Sequence, residues 1–312
     1  MDEVKNENNC LPKKETKDIV AKAIEIFFTA VLIIYCVTLL ILPLWMILTS
    51  LKADSLECVY NPFGLPGMNI KYPEYSTIDF HFENYPKIFE IMNEKLSVGI
   101  GEMFKNGLLM ATLPGAITLF FTALFAYVEA KYDFVGKTFF FNLGIALMII
   151  PIVGNLASAM QLRKFLHVYN NMFMHILTSP VGCFYGTNFL LLYAAFKGMP
   201  WDYAESVFID GGDHYTVLFS IYFPMIMPTL VSLFVLSFMG AWNDYSTYLV
   251  WLPDFPNVAY GMYRFNQDAD KYLVDLPVLM AGFTMVMIPT VVLYFFTHEV
   301  IQSRIMVGGL KG

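Results

Sequence analysis

The sequence predicts an all-α, polytopic membrane helix bundle, and three observations carry that prediction. Apolar residues make up 57% of the 312 positions, charged residues only 14%, and the mean hydropathy is positive, a balance foreign to soluble globular domains. Six uncharged stretches are each long enough to cross about 30 Å of hydrocarbon as a helix. Between two of them lies a short charged loop, broken by glycine, that reads as two helices joined by a turn. The net charge of −7 argues against a nucleic-acid partner.

Taken in order, residues 1–22 are polar and mixed in charge, and are expected to form a disordered cytoplasmic tail ahead of a six-span domain over 23–312. The first stretch, Ile26–Leu51, is too long for a signal-peptide core and has no small-x-small cleavage site before Lys52, so it stays in the bilayer as an anchor. A hydrophilic insertion follows over 52–105, punctuated by Pro, Gly and Asn. Its acidic excess and aromatic residues fit either an extracytoplasmic ledge touching a partner or a solvated connector. The remaining stretches are Asn106–Val128, Thr138–Leu162, His175–Phe196, a span from near Val217 to near Trp242, and Leu276–His298. Pro114, Pro151 and Pro289 fall inside them and mark kinks. A tail over 299–312 closes the chain.

An even number of spans puts both termini on one side. With the termini inside, the inner segments hold Lys5, Lys13, Lys14, Lys17, Lys22, Lys131, Lys137, Lys197, Arg304 and Lys311, against the other nine of the 19 Lys and Arg residues in the longer outer loops. The bias rests on the basic residues before the first span and on the short Glu129–Lys137 connection.

The loop over 197–216 has a physics of its own. If Trp201 to Ile209 is helical, the 3.6 period puts Trp201, Ala204, Val207 and Phe208 on one face and Asp202 and Ser206 on the other. Asp210-Gly211-Gly212 is expected to end that helix, since glycine enters the left-handed region cheaply. Asp213 is placed to cap the next one. A protruding helix with an apolar face and a carboxylate suits docking into another protein's groove, although a solvated loop on the bilayer surface has the same composition.

The spacing in this loop is Glu205-Ser206-Val207, three residues, Gly211, nine residues, Ile221, one residue, Phe223-Pro224. It resembles the signature loop of ABC-transporter permeases, E-A-A, three residues, G, nine residues, I, one residue, L-P. Asn61-Pro62-Phe63-Gly64-Leu65-Pro66, Asn84-Tyr85 and Phe134-Val135-Gly136-Lys137 resemble further elements of the maltose-permease-like carbohydrate branch. The resemblance covers the chain beyond its first twenty or so residues. It implies an inner-membrane subunit with cytoplasmic termini, in which the loop is a coupling helix gripped by a cytoplasmic ABC ATPase dimer through Glu205, Ser206, Val207, Asp210, Gly211, Ile221 and Pro224. Ser206 and Val207 replace the two alanines of the pattern and Phe223 the leucine. It further implies a second, different permease subunit, an extracytoplasmic solute-binding protein, and a C-terminal tail, here with Gly308, Gly309 and Lys311, that touches the ATPase.

Trp242-Asn243-Asp244 resembles the family's W-N-D element and is a candidate part of the substrate pathway: an aromatic ring can stack on a sugar while an amide or carboxylate bonds its hydroxyls. Aromatic residues also gather at the membrane interface without any ligand. The chain has no G-x-x-x-x-G-K-[ST] loop, so it is expected to be no enzyme and to bind no cofactor itself, with ATP and Mg held by the partner ATPase. No metal site is expected from the spacing of its five His and four Cys residues. The expected function is the permease subunit of an ATP-driven importer of a sugar or oligosaccharide. The alternatives are an importer of a non-sugar solute and an ion-coupled secondary carrier; the carrier is disfavoured because the six stretches contain no Asp, Glu, Lys or Arg to couple ions.

Overall fold

The computed structural model describes residues 13–68, 77–95, 98–149, 154–182, 185–268 and 274–305. Every regular element among them is helical. In chain order they are α1 (Lys13–Ser50), α2 (Ser55–Tyr60), α3 (Asn84–Lys95), α4 (Ile100–Lys131), α5 (Lys137–Ile149), α6 (Leu156–Phe165), α7 (Met172–Thr178), α8 (Thr187–Lys197), α9 (Asp202–Ile209), α10 (His214–Asn243), α11 (Ser246–Val250), α12 (Val258–Gln267) and α13 (Leu276–Ile305). Among the described residues, four helices are long and apolar enough to cross a membrane: α1 from Ala21, α4, α10, and α13 as far as Glu299.

Two of the six expected spans are not single helices. Thr138–Leu162 is divided between α5 and α6, and His175–Phe196 between α7, a 3₁₀ turn over Ser179–Gly182, and α8. The breaks follow local chemistry that an apolar run length does not register. Gly154 lies at φ +75°, a conformation that ends a helix, and Pro180 in the 3₁₀ turn has no N–H to continue one. Pro151 lies outside the described residues.

The chain start also departs from expectation, because α1 begins at Lys13, inside the segment read as a disordered tail. Lys13 to Lys22 is rich in good helix formers, a composition that lets the helix grow back from the apolar run. Residues 1–12 lie outside the described part.

Two compact units divide the chain. The first comprises the chain up to Asn84 with Asp275–Thr284. It is tied at the end of α1, where Asn84 Nδ2 donates to the carbonyls of Ser50 and Lys52 at 2.9 and 2.8 Å and the His81 amide donates to that of Leu51 at 2.9 Å. Within it, Ser55 Oγ donates to Asp275 Oδ1 at 3.1 Å and accepts from the Leu276 amide at 2.9 Å, capping the start of α13.

The second unit, Tyr85–Val274 with Met285–Gly312, holds the larger core. α4 packs along α8 and α10 through Leu119, Ala123, Ala126 and Tyr127, against Phe189, Leu192 and Phe196 of α8 and Val217, Tyr222 and Ile226 of α10. Ala123 and Ala126 are fully buried, and their small side chains let the aromatic residues of the neighbouring helices approach closely.

Candidate coupling surface

The periodicity of Trp201–Ile209 is realised in α9. Ala204 is fully buried in the core of the second unit, Trp201, Val207 and Phe208 are half-buried, and Asp202, Glu205 and Ser206 are exposed. Asp202 and Glu205 occupy the first turn, where the helix dipole favours negative charge. Ser206 Oγ donates to the Asp202 carbonyl at 2.9 Å, so the residue that replaces an alanine satisfies its hydroxyl within the helix.

The C-terminus of α9 is a Schellman motif. The Gly211 amide donates to Phe208 at 3.1 Å and the Gly212 amide to Val207 at 2.8 Å, with Asp210 as the cap and Gly211 at φ +84°. Gly212 is required as well, because a Cβ there would run into Val207. Both glycines therefore turn the chain within two residues, and Asp213 starts α10: its Oδ1 accepts from the Thr216 amide and hydroxyl, each at 2.8 Å.

Those two bonds favour the ionised form and hold the Asp213 carboxyl below its ordinary value. A group depressed in the folded state contributes stability above its unfolded pKa, about 3.9 for Asp, and loses it as pH falls through the lower folded value. The Thr216 amide is therefore expected to keep its exchange protection from neutral pH down to about pH 4 and to lose it in stronger acid. Asp213→Asn is expected to retain the cap and remove that pH dependence, as hydrogen exchange would report.

Further along α10, Val217–Tyr222 is a π-helical turn in which the Phe223 amide reaches back five residues to Leu218. The wide turn sits where Pro224, at the second position of the following α-helical segment, can form no bond of its own and would crowd a carbonyl of the preceding turn. Ile221 is half-buried and Pro224 exposed. Glu205, Gly211, Ile221 and Pro224 thus belong to one continuous helix-turn-helix, whose course between Glu205 and Pro224 is set by the Schellman turn and the proline-relieving π turn.

A polar latch seats α9, and sequence reasoning missed it. The Tyr132 hydroxyl lies 3.0 Å from that of Tyr127 and 2.9 Å from His214 Nδ1, linking the end of α4 to the start of α10. Trp201 packs its ring against Tyr132 and Phe208 packs against His214, at centroid distances of 5.9 and 4.9 Å. Lys131 Nζ donates to the Met199 carbonyl at 2.5 Å and Tyr222 Oη to that of Pro200 at 3.0 Å, holding the entry to α9. No spacing joins Tyr132 to His214, 82 residues apart, so only the fold could reveal the pair. Tyr132→Phe is expected to weaken this seat by about 1 kcal/mol, visible as faster hydrogen exchange across 201–214 with α4 unchanged.

The Trp242 element is built differently from a binding platform. Trp242 is buried at 3% exposure, its ring stacks on Phe238 at 5.9 Å and 10° and meets Phe104, and its Nε1 donates to the Val286 carbonyl at 2.9 Å. Asp244 Oδ1 accepts from the Ser246 amide and hydroxyl at 2.8 and 2.6 Å and from the Thr247 amide at 3.2 Å, opening α11. Burial pushes the Asp244 carboxyl up, but these bonds outweigh it and hold the group below its ordinary value. Asn257, fully buried, donates to the Trp242 and Asp244 carbonyls at 3.3 and 3.0 Å and caps α12 through the Tyr260 amide. Asn243 is exposed and donates to Met239 in its own helix at 2.9 Å. Gly308, Gly309 and Lys311 lie outside the described residues.

Residues 109–307, more than half of the chain, match the profile of the binding-protein-dependent transport system inner membrane component. The chain belongs to this family. As an inner membrane component it is a multi-pass membrane protein whose helix-turn-helix falls inside the matched region. It is 26% identical over 214 residues to the arabinooligosaccharides transport system permease protein of Halalkalibacterium halodurans, covering 67% of this chain and 74% of that one. It is 25% identical over 285 residues to the diacetylchitobiose uptake system permease protein of Streptomyces coelicolor, covering 90% and 87%. A maltodextrin transport system permease protein of Streptococcus pneumoniae is 25% identical over 240 residues, covering 76% and 82%. The fold is that of a chain from a bacterial ABC transporter that imports the acidic polysaccharide alginate, at a TM-score of 0.66 and 18% identity over 94% of this chain and 99% of that one.

Proposed function

We propose that this chain is the membrane-spanning permease subunit of an ATP-driven ABC importer, moving a sugar or oligosaccharide delivered by an extracytoplasmic binding protein. The observation that carries the reading is α9: an amphipathic helix latched to the ends of α4 and α10, with Glu205 exposed and its exit fixed by Gly211 and Gly212. Family membership and the oligosaccharide systems in which its relatives serve support the substrate class.

In this reading the cytoplasmic ATPase dimer grips Glu205, Ser206, Val207, Asp210 and Gly211, and Ile221 and Pro224 pass its movement into α10. The loop has four carboxylates, Asp202, Glu205, Asp210 and Asp213, and the chain has no Lys or Arg from 198 to 263. Tyr203 and Ile209 stand out at 45% and 84% exposure. The receiving groove is therefore basic with apolar pockets, and ATP and Mg reside on that partner. ATP binding favours one arrangement of the bundle and hydrolysis resets it, giving alternating access. A second, different permease completes the pathway, and Gly308, Gly309 and Lys311 reach the ATPase. The spans number six, the third made of α5 and α6 and the fourth of α7 and α8, with both termini cytoplasmic. Asn243 keeps an exposed amide for substrate, whereas Trp242 and Asp244 act by shaping the corner between α10 and α12.

The carrier reading meets one residue the apolar stretches did not include. α4 extends to Lys131 and so contains Glu129, buried at 1% exposure with Oε1 unpartnered. It lies two residues from the helix end, roughly 3 Å along the axis, far from the midplane where coupling ions bind in such carriers. Uptake by cells expressing the transporter is expected to collapse on ATP depletion and to survive an ionophore. The opposite pattern would establish the carrier.

A further inference from the structure

In the segment after the first span, Lys52 is buried and Glu57 half-buried, while several large apolar side chains face outward. Asp54 accepts from the Glu57 amide at 2.8 Å. Glu57 folds back to accept from the amides of Ala53 at 2.8 Å and Gly67 at 2.6 Å. Lys52 is fully buried and donates to the Asn61 carbonyl. Exposed alongside Asp54 are Leu56, Val59 and Tyr60, at the i, i+3, i+4 spacing of one helical face, followed by Phe63; the exposures of these four are 64, 73, 76 and 75%.

Trp45 fixes the level of this patch. Its Nε1 donates to the Pro62 carbonyl at 2.8 Å. Trp45 lies five residues before the end of α1, so the turn carrying Phe63 is bound to the flank of that helix about 7.5 Å short of its end. The patch is also continuous in chemistry with α1, whose most apolar window has none of its residues buried. A protein-docking face carries hydrogen-bonding groups among its apolar ones. Here Lys52, Asp54 and Glu57 and the Asn61 and Pro62 carbonyls are already engaged. The face combines aliphatic side chains with the Phe63 ring and the amphipathic Tyr60, whose hydroxyl can stay in water while its ring is buried.

We infer that Leu56, Val59, Tyr60 and Phe63 seat in the headgroup–acyl boundary of the bilayer, as an interfacial anchor at the C-terminal end of the first span. Aromatic and aliphatic side chains on a short amphipathic element, beside a tryptophan, match the chemistry of that layer. The anchor fixes the exit of α1 and the start of the insertion that follows it.

The test places the photoreactive residue p-benzoylphenylalanine at Phe63 or at Tyr60 in the full chain within its native membranes, with irradiation followed by intact-mass analysis. The expected result is a gain of one phospholipid mass at both positions. A cross-link to a protein at either position, or a missing lipid adduct at either, overturns the anchor. The readout needs only the inserted chain, so it stands or falls separately from the coupling role of α9.

Discussion

Glu205→Lys and Gly211→Pro are each expected to abolish substrate uptake while leaving the chain folded and inserted in the membrane. Glu205 is exposed on α9, and the adjacent Ala204 supplies the packing, so reversing the charge leaves the core intact. In a complex that buries this carboxylate against a basic groove, disrupting a hydrogen-bonded charge pair costs about 2–5 kcal/mol. At 1.4 kcal/mol per factor of ten, that is roughly a thirtyfold loss of affinity or more. Gly211→Pro acts through the backbone: φ is +84° and proline is held near −65°, so the Schellman turn cannot close and α9 loses its exit angle. Substrate-stimulated ATPase activity of the assembled transporter should fall with uptake for both. Thermal stability of the membrane subunit stays near wild type for Glu205→Lys, whereas Gly211→Pro, which also removes the amide bond to Phe208, is expected to lower it while leaving the chain inserted. Normal uptake by both variants would remove α9 from the mechanism.

Trp242→Ala is expected to destabilise the second unit by about 3–5 kcal/mol, the usual result of emptying a large aromatic site. The ring fills the space between Phe104 and Phe238, and a Cβ on Gly107 would sit 3.4 Å from it, so neighbours cannot easily collapse into the gap. Trp242→Phe keeps most of that packing and loses the bond to Val286, and is expected to cost about 1 kcal/mol for the hydrogen bond plus a smaller packing loss. Thermal unfolding in detergent should rank wild type above the phenylalanine variant and both above the alanine variant. A Trp242→Ala protein with unchanged thermal stability and lost uptake would instead make the ring a substrate contact.

The contrast between these two sites shows what the sequence can and cannot carry. α9 was legible because its determinants are local: a 3.6-residue period over nine positions, two glycines, and a capping aspartate at the start of the next helix. α1, α4, α10 and α13 were legible because a long apolar run has one solution in lipid. The W-N-D element invited a binding role because polar groups at membrane depth are costly, yet its partners Phe104, Val286 and Asn257 come from elsewhere in the chain. Which of two satisfied states a polar residue adopts is decided by such distant neighbours. The same holds for Tyr132 and His214. The broken third and fourth stretches are a different case, since glycine and proline punctuation was present in the sequence and hydropathy outweighed it.

If the helix-turn-helix around Glu205 couples this inner membrane component to an ATPase, the two must be recovered together, and the Glu205 carboxylate must hold them. The deciding measurement is affinity purification of the tagged chain from native membranes in mild detergent, alongside Glu205→Lys, with mass spectrometry of the proteins recovered. The wild-type chain is expected to bring down a P-loop ATPase, a second permease and a solute-binding protein, and the variant to lose the ATPase while keeping the second permease. Recovery of the chain alone, with wild type and variant behaving identically, would contradict the coupling.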